Sequence, residues 1–278
     1  MLHTENKCSV VRKYFKSGRI RLSYLDYGGE SEQLLLLLHG HMNDARTFSS
    51  LAFKFKKENW RVIALDQRGH GWSAHPPDRD YSRESYLKDI LTLIEHELSG
   101  KPVTILGHSL GGINAYQFAA RHPELVHAVI VEDIGVDIHA DLSFVEKLPE
   151  HFSSLEELRE TLKRVGIRAV DYFSESVFED ENGWRFRCDV KGMKISAENV
   201  NGVWWKDWLS STCPILLIHG QKSFVLDLNQ AEQMSSRRRN TKLKVFEHCG
   251  HGVHDDDPNG FYKAVKNFLD ELNRWDST

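Results

Sequence analysis

Cysteine is scarce in this 278-residue chain. Only Cys8, Cys188, Cys213 and Cys249 occur, far apart and without a CxxC pair. No disulfide framework is expected, because a chain this long buries a core without one. Long apolar runs are also missing. The longest, Leu34 to Leu38, falls far short of the ~20 residues that cross a bilayer. Met1 to Lys7 holds no apolar stretch of the secretory-leader kind, so reduced thiols in the cytoplasm are the expectation. An excess of one charge is absent too: 36 Lys+Arg stand against 40 Asp+Glu. That near balance gives no electrostatic footprint for nucleic acid or for an anionic membrane surface. Neither a dinucleotide-binding G-x-G-x-x-G after a first strand nor a phosphate-binding P-loop is present, so no nicotinamide, flavin or nucleotide cofactor is expected.

What is present is an alternation. Apolar runs at Ile20–Tyr27, Leu34–Leu38, Arg61–Leu65, Val103–Leu106, Val126–Val131, Pro214–His219 and Lys242–Glu247 read as strands. Between them, Tyr86–Leu98 carries Leu87, Ile90, Leu91, Ile94 and Leu98 at helical spacing, and a closing helix runs over Asn259–Trp275. The fully apolar Leu34–Leu38 fits a strand covered on both faces. Strands alternating with helices imply an α/β fold with a mostly parallel sheet. The rhythm breaks over 137–211, a polar and helical stretch with Leu155, Leu158, Leu162 and Val165 on one stripe. The expected organisation is therefore a core of residues 1–136 and 212–278 with a helical cap, 137–211, inserted between two strands. Arg237-Arg238-Arg239 reads as a solvated helix end.

Gly107-His108-Ser109-Leu110-Gly111 is a G-x-S-x-G sequence placed between a strand and a helix. By composition alone a chain of this length shows one in roughly one case in ten, so its flanks carry the argument. A serine on a sharp strand-to-helix turn is pushed clear of the sheet, and glycines beside it avoid a Cβ clash. A serine nucleophile needs a base and an acid that orients it. Gly250-His251-Gly252, between the last strand and the last helix, offers His251 as the base. The neighbouring His248, Cys249, His254, Asp255, Asp256 and Asp257 are metal-ligand types, but His251 already has this use, and no metal is expected. The acid is open between two carboxylates. Asp133 follows its strand at the carboxyl edge of the sheet and is favoured, with Glu132 pointing the other way. Asp227 is the alternative, although capping a helix would explain it as well.

These residues resemble the α/β-hydrolase superfamily over essentially the whole chain. His39-Gly40, Asp66-Gln67-Arg68-Gly69-His70-Gly71-Trp72-Ser73, Gly107–Gly112 and Gly250-His251 stand in that family's order. The Asp66–Ser73 segment reads as a structural tight loop. Glu132-Asp133-Ile134, Gly220-Gln221-Lys222-Ser223 and Trp184-Arg185-Phe186 are similar to a branch of small bacterial esterases and their mitochondrial relatives. The resemblance implies a triad of Ser109, His251 and Asp133 with Ser223 as an auxiliary. It also implies an oxyanion hole from the N–H groups of His41, after His-Gly, and Leu110, after the nucleophile. The His41 imidazole is expected to face solvent without a task. Gly135-Val136 and Ser223-Phe224-Val225 depart from that branch, which bears on substrate rather than mechanism.

The expected activity is hydrolysis of a small-molecule carboxylic ester or thioester through an acyl-enzyme, without cofactor or metal. Phe173, Phe178, Trp184, Phe186, Trp204, Trp205 and Trp208 either line an acyl pocket in the cap or glue the cap to the core. The same triad serves carbon–carbon bond hydrolases and cofactor-free haloperoxidases, and a non-turnover receptor can retain it. Turnover of short against longer p-nitrophenyl esters separates these.

Overall fold

The computed structural model describes residues 10–275 except Arg168. Cys8 and the Met1–Lys7 stretch lie outside the described residues. Eight strands form the main sheet: β1 Val11–Ser17, β2 Ile20–Gly28, β3 Leu34–Leu38, β4 Arg61–Asp66, β5 Val103–His108, β6 Val126–Glu132, β7 Ile215–Gly220 and β8 Thr241–Phe246. Their order across the sheet is β1-β2-β4-β3-β5-β6-β7-β8. The pairings β1/β2 and β2/β4 are antiparallel and the remaining five are parallel.

Both faces of the sheet are covered, which is why β3 is apolar throughout. Leu34, Leu36 and Leu38 pack into one core layer with Leu87, Ile90, Ile94, Ile113 and Phe118 of the helices α2 Arg83–Glu97 and α3 Leu110–Arg121. Leu35 and Leu37 face the other layer, shared with Leu51 and Phe55 of α1 Ser49–Lys57 and with Phe261, Val265, Phe268 and Leu269 of the closing helix Pro258–Trp275. Strand alternation therefore delivers one residue in two to each layer.

The expected strands are all present. Two elements lie beyond those expected: β1 is an edge strand whose residues are mostly exposed, and α1 is short, burying Leu51, Ala52 and Phe55. The stretch between β6 and β7 is not purely helical. It holds helices at Leu155–Arg164, Val170–Ser174, Val190–Val200 and Trp205–Ser210, but also two antiparallel strand pairs. Val177–Asp180 pairs with Gly183–Phe186, and Asp137–Ile138 pairs with Gly202–Val203. The arginine run also departs from expectation. Arg237 stacks on Trp205, but Arg238 is buried, its guanidinium donating to the carbonyls of Trp208, Ser211 and Cys213 at 2.9, 2.8 and 2.7 Å. It ties the return of the inserted stretch to the core. Cys188, Cys213 and Cys249 are free thiols. Among the described residues no helix is long and apolar enough to cross a membrane.

Candidate active site

The turn from β5 into α3 forces Ser109 to φ 51° and ψ −115°, a region most side chains avoid. Ser109 N–H is held by the Glu132 carbonyl at 2.9 Å. So tight a turn leaves no room for side chains beside it. A Cβ on Gly107 would lie 2.1 Å from the Gly111 carbonyl oxygen, and one on Gly111 would lie 2.0 Å from that of Leu38. Leu110 begins α3, so its N–H belongs to the first turn, which has no intrahelical acceptor. His41 lies in the loop after β3, where Met42 takes φ 62°. Among the described residues neither the His41 nor the Leu110 N–H donates to a protein acceptor.

Asp133, one residue past β6, also adopts a positive φ of 51° and is fully buried. Its Oδ2 lies 2.8 Å from His251 Nδ1 and accepts from Ser223 Oγ. Its Oδ1 accepts from the Gly220 N–H at 3.1 Å and contacts His219 Nδ1 at 3.2 Å. Burial alone would raise this carboxyl. Hydrogen bonds from His219, His251 and Ser223 outweigh it and hold Asp133 below the usual carboxylate range. An ionised carboxylate only accepts, so the proton of a neutral His251 sits on Nδ1 and the Nε2 lone pair is free. The His251 ring rests on His108, the residue before Ser109, with centroids 4.5 Å apart. His108 Nε2 donates to the His251 carbonyl at 3.0 Å.

Asp227 is elsewhere in role. Its Oδ1 accepts from Gln230 N at 2.9 Å and caps the helix Leu228–Arg237. Glu132 points away from Asp133, accepting from the N–H and Nδ1 of His254, both at 2.8 Å. Asp256 binds the Gly250 N–H at 2.6 Å. Among the described residues no group of three or more His, Cys, Asp or Glu is arranged to hold a metal ion. Asp66 is structural, its carboxylate accepting from Ala45 N, Trp72 N and Ser23 Oγ and thereby closing the loop to Ser73.

One expectation about a side chain is corrected, and one left open between two readings is decided for most residues. The His41 imidazole is half-buried rather than solvent-facing, and its Nε2 meets Ser196 Oγ at 2.9 Å. Burial, then the nearby Arg83 charge, pushes it down to about 3, so it stays neutral. Most of the cap aromatics pack rather than line a pocket. Trp208 is buried edge-on to Tyr116 and donates to the Met234 carbonyl, Phe186 packs on Phe152, and Arg185 and Arg187 stack on Phe178. The aromatic that reaches the site is Tyr172, which spacing did not single out. Its ring lies 5.6 Å from His108 and 6.0 Å from His251. Exposed Phe224 also stands 5.6 Å from His251.

The sequence profile of the alpha/beta hydrolase family matches residues 35–264. The chain belongs to the α/β-hydrolase family. Among its relatives in the family is 2-(acetamidomethylene)succinate hydrolase of Mesorhizobium japonicum, 27% identical over 265 residues that cover 91% of this chain and 93% of that protein. The human serine hydrolase BPHL is 26% identical over 245 residues, covering 87% and 80%. A crystal structure of E-2-(acetamidomethylene)succinate hydrolase superposes with a TM-score of 0.81 at 24% identity, covering 94% of this chain and all of that one, which shows the shared fold. Membership makes this α/β-hydrolase chain a hydrolase. The names of further relatives, an epoxide hydrolase and a putative esterase/lipase, span more than one bond type.

Proposed function

We propose that the chain is a serine hydrolase of small carboxylic esters, thioesters included, working through an acyl-enzyme on Ser109. The observation that carries this reading is the 2.8 Å contact between His251 Nδ1 and buried Asp133, with the His251 ring laid against the elbow that bears Ser109. With Nδ1–H committed to Asp133, Nε2 is the free base. It takes the Ser109 proton as Oγ attacks the ester carbonyl. The His41 and Leu110 N–H groups, without protein acceptors among the described residues, receive the charge that develops on the carbonyl oxygen; each such donor is worth about 10²–10³-fold in rate. The imidazolium, stabilised by ionised Asp133, protonates the leaving alcohol or thiol. Neutral again, the imidazole takes a proton from the water that attacks the acyl carbonyl and returns it to Ser109 Oγ as the acid leaves. Ser223 and His219 keep Asp133 ionised and oriented.

In this reading residues 137–211 form the cap, and Tyr172 and Phe224, the aromatics beside His251, bound the space for the acyl chain. The substrate is a small molecule, no cofactor takes part, and three free thiols fit residence in the cytoplasm. The test is Ser109→Ala. Turnover of p-nitrophenyl acetate and butyrate and labelling by a fluorophosphonate should both vanish. Persistence of either overturns the assignment.

A further inference from the structure

The loop that carries the His41 N–H is anchored at its start by the core, where His39 Nδ1 donates to the Gly40 carbonyl at 2.8 Å and Gln67 Nε2 donates to the His39 carbonyl at 2.6 Å. One main-chain bond, Asn43 N to the Gly40 carbonyl at 3.3 Å, closes its turn, and Met42 sits at a positive φ. Asn43 also reaches Thr47 Oγ1 at 3.4 Å, and the hydrogen bonds to residues 41–43 from further away in the chain come from the stretch inserted between β6 and β7. Tyr172 Oη donates to the His41 carbonyl at 3.0 Å. Ser176 Oγ donates to the Met42 carbonyl. Asn43 Nδ2 donates to Glu175 Oε2 at 2.6 Å. Ser196 Oγ meets the His41 imidazole at 2.9 Å. Three consecutive loop residues are thus each bonded by the insertion, three of the four contacts coming from a single turn of chain at 172–176.

The fit is close at Gly40 as well. A Cβ there would lie 2.4 Å from Tyr172 Oη and 2.8 Å from His108 Nδ1, so residue 40 must be glycine for the tyrosine to reach its acceptor. Burial holds the Tyr172 hydroxyl well above its ordinary range, so it remains a donor in any practical assay.

We propose that Tyr172, seconded by Ser176, is a positioning residue for the oxyanion site: the inserted stretch completes the hold that sets where the His41 N–H points. This rests on the serine-hydrolase reading above. The physical reason is that an oxyanion donor acts through preorganisation, and a displacement on the order of 1 Å can cost about 10²-fold in rate without weakening substrate binding. A side effect of this arrangement is that the site is complete only with the insertion seated.

The test uses the full chain. Tyr172→Phe should lower kcat for p-nitrophenyl acetate by about 10- to 100-fold with KM within two-fold. The affinity for a trifluoromethyl ketone, whose adduct carries an oxyanion, should weaken by the same factor, and the pH profile should keep its shape. Ser176→Ala should give a smaller loss in the same parameters and carries the test alone if Tyr172→Phe does not fold. A kcat retained within two-fold, a loss confined to KM, or a pH profile that loses a limb overturns the inference, the last because Tyr172 would then be exchanging protons itself. Ser109→Ala assayed in parallel separates the two levels. If it is inactive while Tyr172→Phe is unimpaired, only the positioning role fails; if it retains turnover, the acyl-enzyme reading falls and this role with it.

Discussion

Asp133 accepts from the Gly220 N–H and Ser223 Oγ and contacts two imidazoles while fully buried. A neutral amide in its place would offer an N–H where His251 now donates, and the imidazole would turn to the tautomer that cannot take the serine proton. Asparagine also tolerates the positive φ at this position, so the change is local. Asp133→Asn is therefore expected to lower kcat by about 10⁴-fold with the fold intact. Asp227→Asn should stay within a few-fold, since asparagine caps a helix as well as aspartate does. Steady-state kinetics on p-nitrophenyl butyrate checks both, and the opposite ranking would hand the orienting role to Asp227. Both carboxylates are visible in the sequence as acids near strand ends. What separates them is where each side chain lands, Asp133 beside His251 and Asp227 on its own helix N-terminus. The partners His219 and Gly220 are not readable in advance, because they reach Asp133 only through the register that bonds Asp133 N to the Ile218 carbonyl at 2.9 Å.

At the level of elements, the elbow works because α3 approaches β3 without an intervening side chain. Gly111→Ala would set a methyl 2.0 Å from the Leu38 carbonyl oxygen, and that oxygen belongs to a buried strand that cannot yield. The helix must retreat, taking the Leu110 N–H with it. We expect a loss of about 1–3 kcal/mol in urea denaturation, together with a fall in kcat larger than the change in KM. Undiminished kcat with lowered stability would show that the helix start does not serve the reaction. The same packing logic explains which elements the sequence discloses. Central strands and α2 carry apolar residues at their own period because one or two faces are buried. Edge strand β1 is mostly exposed, and the two-to-four-residue strands of the insertion have too few positions to show a period. Arg238 is disguised by its neighbours: an arginine between two arginines reads as solvated, although its donors answer three carbonyls of a chain reversal. Tyr172 is hidden for a related reason, since its acceptor lies in a loop 131 residues away.

Across the whole molecule, a second histidine–carboxylate pair joins parts that are distant in sequence. His254 binds Glu132 at the end of β6, and its Nε2 meets Thr47 Oγ1 at 3.0 Å. Thr47 in turn donates to Glu175 of the insertion at 3.0 Å, and Asp255 lies 3.5 Å from His254 Nε2. Burial opposes the imidazolium, but the charge of Glu132 and its hydrogen bond prevail and push His254 up to about 9. The folded state therefore binds a proton that the unfolded chain, with a histidine near 6.5, releases first. Stability from this pair is fully present below pH ~6.5 and is lost as pH rises toward 9. Asp255, raised to about 6 by burial, completes its own effect below that window. The expected outcome is a melting temperature lower by about 5 °C at pH 9.5 than at pH 6.5. His254→Gln, which keeps a donor and cannot titrate, should flatten that dependence at the cost of lower stability at pH 6.5. The buried histidines held neutral and the buried thiols shift both curves alike, so the difference between the two proteins carries the test: an equal pH dependence in wild type and variant would show that the charge on His254 does not hold these parts together.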